Sequence, residues 1–516
     1  MAGMTGTEVR LRRSAAQLLD LVLDKGTFTP WDRPAEQPPT SPRYAAELEK
    51  ARRVTGADEA VTTGRGLIRG RPVAVIASEF GFLAGSIGRA ASRRITDAVR
   101  RATEEGLPLL ACPASGGTRM QEGTPAFLSM VDITQAIHRH KDRGLPYLVY
   151  LRHPTTGGVM ASWGSLGHVT LAEPGALLGF LGPRVFEALN SEPFPSGVQT
   201  AENLHRLGII DGVAAPEDLP DLLDRVLRIV APAPQSSQSG QSNQSNSACP
   251  TPAPASAAAG PGTTSTWHSI ERSRHPGRPD LQRLLEEGAD DAVILHGTGQ
   301  GEADPGLTLA LARFGTQPCV VVGHQRPGPG EREMGPASLR QARRGVQVAQ
   351  ELRLPLLTVI DTAGAELSRE AEEGGLAGEI ARTLADLIGT PAPSVSVLWG
   401  QGAGGGALAL VPADRVIAAE HAWLSPLPPE GASAIVHRDT LHAPELAEAQ
   451  DVNVAALHQI GLVDHVVPEE PPAELDPHGF CTAMASAIEY ELSRAVCVPD
   501  ADRLGLRAAR FHQLGC

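Results

Sequence analysis

Lysine is nearly missing: Lys25, Lys50 and Lys141 are the only three in 516 residues, and arginine carries the rest of the positive charge. No GK[ST] follows a glycine-rich turn, so a P-loop is excluded. No glycine fingerprint of the GxGxxG kind opens a βαβ unit with an acidic partner, and HExxH and GxSxG are absent too. Aromatics make up only 4%, whereas Ala, Val, Leu and Gly abound, which is α/β composition rather than that of a β-sandwich. No apolar run is long enough to span a bilayer. The opening MAGMTGTEVRLRRSAAQLLDLVL lacks a sustained apolar core and a cleavage site, so no signal peptide is expected. The six cysteines (112, 249, 319, 481, 497 and 516) contain no CxxC pair, which speaks against a zinc ribbon or a disulfide framework and for a reduced, cytoplasmic setting. The formal net charge is -14 with no basic run, so a nucleic-acid partner is not expected. Scattered arginines can still build a pocket for a small phosphate-bearing ligand.

The length suggests two to four domains. Residues 231–266 are dominated by Ser, Gln, Asn, Pro and Ala and cannot bury enough apolar surface to offset their ordering entropy. They are expected to form a flexible low-complexity linker between domains 1–230 and 267–516. The two flanks resemble each other. GLPLLACPASGG (Gly106 to Gly117) matches RLPLLTVIDTAG (Arg353 to Gly364), each after a helical pattern. Then YLVYLRHPTTGGVMASWGSLGH and SVSVLWGQGAGGGALALVPAD each read as strand, Gly-rich turn and small-residue helix. Gly158 precedes His168 by ten residues, as Gly404 precedes Asp414. LHRLGIIDGVAAPED and LHQIGLVDHVVPEE close the two halves. One βα-rich domain has been duplicated.

A strand that stops at glycines and starts a helix exposes free N–H groups and the positive end of the helix dipole. Gly157-Gly158 and Gly404-Gly405-Gly406 fit that description. Such turns can polarise a carbonyl oxygen; alternatively, the glycines serve only close packing. His138 and His140 sit in a polar helical stretch and are expected to be solvated, as are the carboxylates of AEEGG (Ala371 to Gly375). Backbone donors are many and side-chain catalysts few, a pattern suited to stabilising an oxyanion while the substrate or cofactor brings its own base.

At these residues the chain closely resembles the biotin-dependent carboxyltransferases, in the bacterial acetyl-CoA carboxylase form. ASGGTRMQEG (Ala114 to Gly123), PTTGGVMAS (Pro154 to Ser162), AEPGALLGFLGPRVFE (Ala172 to Glu187) and LLDLVLDKGTFTPWD (Leu18 to Asp32) are similar to the β subunit. VVVGHQR (Val320 to Arg326), DTAGA (Asp361 to Ala365), AEEGG with EIAR (Glu379 to Arg382), GAGGGALA (Gly402 to Ala409) and PPEGASAI (Pro428 to Ile435) are similar to the α subunit. The likeness covers most of both halves and excludes the linker.

The resemblance implies an α/β fold of two crotonase-like domains, each a ββα spiral. It implies a site shared by one β-type and one α-type half, usually from different chains, and therefore a homodimer or larger homo-oligomer. Acyl-CoA would lie mainly against the first half, with amides at Gly157 and Gly158 polarising the thioester oxygen. Gly116, Gly117, Gly179, Gly182 and Arg184 would shape that pocket, and Arg119 would support its loop. Carboxybiotin would lie against the second half, with amides at Gly405 and Gly406 facing its ureido oxygen and Gly364, Ala365, Gly404, Ala407, Glu430 and Gly431 around it. The implied reaction turns acetyl-CoA into malonyl-CoA for fatty acid synthesis. None of the three lysines has an Ala-Met-Lys-Met-like context, and no ATP-grasp-like domain is visible. Carboxybiotin would therefore arrive in trans on a biotin carboxyl carrier protein charged by a separate biotin carboxylase. The chain departs from the family in three places. The four-cysteine zinc ribbon is missing, so no zinc is expected. AGAELS, with Glu366 and Leu367, replaces Pro-Gly-Ala-Tyr-Pro-Gly, and His168 replaces an Asp. Propionyl or other acyl groups, malonyl-thioester decarboxylation and a non-catalytic, carboxylase-binding paralogue remain as alternatives.

Overall fold

The computed structural model describes residues 12–35, 41–231, 265–326 and 333–514. Most of the segment expected to be a linker, 232–264, lies outside the described residues. The chain divides into two compact units, Met1–Arg206 with Ile210–Leu227 and Leu207–Ile209 with Arg228–Cys516.

In the first unit the strands are β1 (Thr29–Pro30), β2 (Val61–Ile68), β3 (Arg71–Ser78), β4 (Leu109–Cys112), β5 (Tyr147–Leu151), β6 (Thr155–Thr156), β7 (Val169–Ala172), β8 (Leu178–Gly179) and β9 (Gly212–Val213). The main sheet runs β1-β2-β3-β4-β5-β7-β9, and β6 pairs with β8 apart from it. β2 and β3 form an antiparallel hairpin, after which every pairing is parallel. Parallel pairing needs long crossovers, here the helices Arg89–Glu104 and Gly123–Asp142. The first helix turns Ala91, Ile95, Val99 and Ala102 inward at helical spacing. Every residue of β4 and β5 is buried, as a parallel strand requires.

The second unit repeats the plan with β10 (Asp291–Leu295), β11 (Leu307–Phe314), β12 (Gln317–His324), β13 (Leu356–Thr362), β14 (Ser394–Gly402), β15 (Arg415–Ala419) and β16 (His465–Val467), which lie side by side in that order. Register carries the duplication to single residues: Leu109 opposes Tyr147 as Leu356 opposes Ser394, and Leu148 opposes Val169 as Val395 opposes Arg415. The Asp211 carboxylate accepts the Thr170 N–H at 2.8 Å, and the Asp464 carboxylate accepts that of Val416 at 2.8 Å.

Two expectations need correction. The small-residue helix after Gly158 does not form: Gly157–Ser162 is a series of turns, and only a 3-10 turn, Trp163–Ser165, follows. Ser162 leaves helical backbone space (φ -143, ψ -116) as the chain dives to bury Trp163. His140 is buried rather than solvated, with Nδ1 2.9 Å from the Thr103 hydroxyl, and burial lowers its pKa to about 4. His138 and the carboxylates of Glu372 and Glu373 are exposed, as expected.

Candidate active site

β4 runs into Pro113–Gly117, and Ser115 fixes the turn. Its Oγ accepts the Gly117 N–H at 3.0 Å, and its carbonyl accepts the Thr156 N–H at 2.9 Å. Gly157 then takes a left-handed conformation (φ +65) and donates its N–H to the Phe180 carbonyl at 2.7 Å. Gly116, Gly117, Gly157 and Gly158 are thereby brought together: a Cβ on Gly157 would stand 3.2 Å from the Gly116 oxygen. The Gly158 N–H comes next, and among the described residues it makes no bond to another segment.

The second unit builds the same knot. The Thr362 hydroxyl accepts the Gly364 N–H at 3.0 Å, and its carbonyl accepts the Ala403 N–H at 3.1 Å. Gly404 is left-handed (φ +69) and donates to the Ser425 carbonyl at 2.9 Å. Gly157 therefore corresponds to Gly404, one residue earlier than the ten-residue spacing suggested, and the first unit has one extra residue before β7. Here a true helix follows, Gly404–Leu410. A helix leaves its first N–H groups without intrahelical acceptors, and those of Gly405 and Gly406 make no bond outside the helix among the described residues. Ala365 flanks them, its nitrogen 3.8 Å from where a Gly406 Cβ would be, and Ala407 is buried behind. Both turns thus present main-chain donors that make no bond to another segment among the described residues, and such donors can hold an oxygen as charge develops on it.

Gly179 pairs with Thr156 through β8 and β6, where a Cβ would strike the Gln199 amide at 2.4 Å. Gly182 caps the helix Pro183–Asn190, which carries Arg184, whose side chain lies outside the described residues. Arg119 is wholly buried and paired with Glu59 (Nη1 to Oε2, 3.0 Å), so it holds the loop rather than a ligand. Gly431 follows Glu430 at the start of the helix Pro429–Val436. Arg274 grips the Glu430 carboxylate with two hydrogen bonds, 2.6 and 3.1 Å, and holds its pKa below the usual value. His168 makes in the first unit the bond that Asp414 makes in the second: its Nδ1 accepts the Tyr147 N–H at 3.0 Å, as Asp414 accepts that of Ser394 at 2.8 Å. Leu367 is 95% exposed, and the Glu366 N–H is held by the Met334 carbonyl at 3.0 Å.

Arg274 and Gln401 escaped the sequence reading, because an arginine outside any motif and a glutamine before a glycine run carry no signal of their partners. Among the described residues no group of three or more His, Cys, Asp or Glu is placed to hold a metal ion, and no helix is long and apolar enough to cross a membrane.

Residues 10–477 match the carboxyl transferase domain family. The chain belongs to that family, among the biotin-dependent acyl-CoA carboxyltransferases. This carboxyltransferase is 56% identical to a probable biotin-dependent acyl-coenzyme A carboxylase beta3 subunit of Mycobacterium bovis, over 98% of this chain and 99% of the relative. It is 37% identical to acetyl-coenzyme A carboxylase carboxyl transferase subunits beta/alpha of Salinispora arenicola, over 98% and 91%. Transcarboxylase 12S shares the fold at a TM-score of 0.69 and 21% identity, covering 93% of this chain and 89% of that one. A single-chain, multi-domain long-chain acyl-CoA carboxylase does so at a TM-score of 0.68 and 16% identity, over 90% of this chain and 45% of that one.

Proposed function

We propose that this carboxyltransferase moves the carboxyl group of carboxybiotin to acetyl-CoA, giving malonyl-CoA for fatty acid synthesis. The observation that carries this reading is the twinned turn: Gly157-Gly158 and Gly404-Gly406 share one backbone plan, each presenting bare N–H groups. Two oxygens that gain negative charge in one reaction call for two such cradles. The amide of Gly158 polarises the thioester oxygen and stabilises the enolate of the acyl group. The amides of Gly405 and Gly406 receive the ureido oxygen, and a helix start without side chains fits that acceptor. Carboxybiotin, when bound, supplies the carboxyl group and the base. The chain itself holds both partners and shields them from water.

A biotin carboxyl carrier protein and a biotin carboxylase complete the enzyme in the cytoplasm. The shared site is assembled in a homodimer or larger homo-oligomer. Acetyl-CoA is favoured by the relatives that are 34–37% identical and bear that substrate in their names. The relative at 56% identity is named only for acyl-CoA, which favours a second reading with propionyl-CoA or a longer acyl group. Carboxylation of acetyl-, propionyl- and long-chain acyl-CoA by the purified chain, with charged carrier protein, separates the two. The highest kcat/KM falls to acetyl-CoA on the first reading, and a preference for a longer chain overturns it.

A further inference from the structure

Five residues of the second unit close a ring of hydrogen bonds beside the Gly404–Gly406 turn. Arg326 is paired with Asp361, which is only 3% exposed, and its Nη2 donates to the Ser273 carbonyl at 2.6 Å. The neighbouring Arg274 donates from Nε to the Gln401 side-chain oxygen at 3.2 Å. The Gln401 N–H returns to Asp361 Oδ1 at 2.9 Å. The ring demands glycine at position 400, where a Cβ would sit 2.7 Å from that carboxylate oxygen. Outside the ring the remaining prongs of Arg274 hold Glu430, while the indoles of Trp423 and Trp267 flank its guanidinium at 5.8 and 5.9 Å. A guanidinium is a rigid planar fork, so groups bound to it are fixed relative to one another.

Every segment expected to touch carboxybiotin is attached to this ring. Asp361 lies three residues before Gly364, and Gln401 three before Gly404. Glu430 lies in the first turn of the helix that carries Gly431. Gln401 is the junction, with its main chain bound to Asp361 and its side chain to Arg274. We propose that Gln401, through Arg274, is a positioning residue for the carboxybiotin side of the site, setting the Gly405 and Gly406 amides against the Pro429–Val436 helix. The inference rests on the reading of this unit as the carboxybiotin side.

The test is transfer from malonyl-CoA to biocytin by the full chain, with KM measured separately for each substrate. Gln401→Met keeps the length of the side chain and the main-chain bond to Asp361 and deletes only the link to Arg274. Arg274→Lys keeps the charge and loses the fork, and it serves if the first variant fails to fold. Each is expected to raise the KM for biocytin roughly ten- to a hundredfold, the scale of a small misplacement, and to leave the KM for malonyl-CoA unchanged. Equal effects on both substrates, accompanied by a lower melting temperature, would mean a structural role only and overturn the inference. An unchanged KM for biocytin in both variants would also overturn it. A wild-type chain that transfers nothing to biocytin removes the functional reading, and the inference falls with it.

Discussion

Gly117 and Gly157 are packed backbone against backbone: a Cβ on either would lie 3.1 Å from the Cα of the other. A side chain at either position of this first-unit turn therefore crowds backbone that must give way. Its counterpart is looser, since a Cβ on Gly404 would meet nothing nearer than the Pro426 oxygen at 3.6 Å. Both Gly157 and Gly404 are left-handed, so alanine strains either by about 1–3 kcal/mol. Gly157→Ala adds overpacking worth about 1–3 kcal/mol more. Calorimetric melting should show the larger loss for Gly157→Ala; equal losses would contradict the packing.

At Gly158 an added Cβ is tight only against the Thr118 hydroxyl at 3.0 Å, a side-chain atom free of the backbone constraint at Gly157, and lies an ordinary 3.6 Å from Met130 Cγ. Gly158→Asp should keep the fold, by circular dichroism, and place a negative charge where the thioester oxygen must bind. Transfer should fall at least about a hundred- to a thousandfold, the effect of losing one oxyanion donor. Wild-type turnover in this variant would refute the placement of the cradle.

Arg119 and Glu59 are both 0% exposed and face each other across the loop. Removing one partner strands the other charge away from water. Arg119→Met should cost about 3–5 kcal/mol in urea unfolding, the range for a broken buried pair. A loss below about 1 kcal/mol, as for a surface pair, would contradict the burial.

The sequence disclosed the duplication, both glycine turns and the crossover helices, because each rests on local pattern. It misplaced the correspondence of the turns by one residue. Spacing to His168 and Asp414 selected Gly158 as the partner of Gly404, whereas the hydrogen bonds of Ser115 and Thr362 select Gly157. It missed the short turn that ends in buried Trp163, since small residues permit a helix without requiring one. It also missed the ring around Gln401, whose members meet only after β12, β13 and β14 lie side by side.

Among the buried histidines, His140 of the first unit and His324 of the second have their pKa lowered by burial from 6.5 to about 4. A neutral histidine in the fold and a protonated one in the unfolded chain make stability complete above pH 6.5 and lost as pH falls towards 4. Each histidine contributes a slope of up to roughly 1.4 kcal/mol per pH unit in that window. Melting temperature followed from pH 7 to 4 should fall, and His140→Gln should flatten the fall. An unaltered profile in that variant would assign the acid sensitivity elsewhere.

The account stands on main-chain amides in each unit serving one carboxyl transfer, and the reverse reaction tests it most directly. Purified chain is mixed with malonyl-CoA, with or without biocytin, and acetyl-CoA release is followed. Release that depends on biocytin, and that Gly158→Asp abolishes, is the expected result. Release at the same rate without biocytin, or none under either condition, would contradict it.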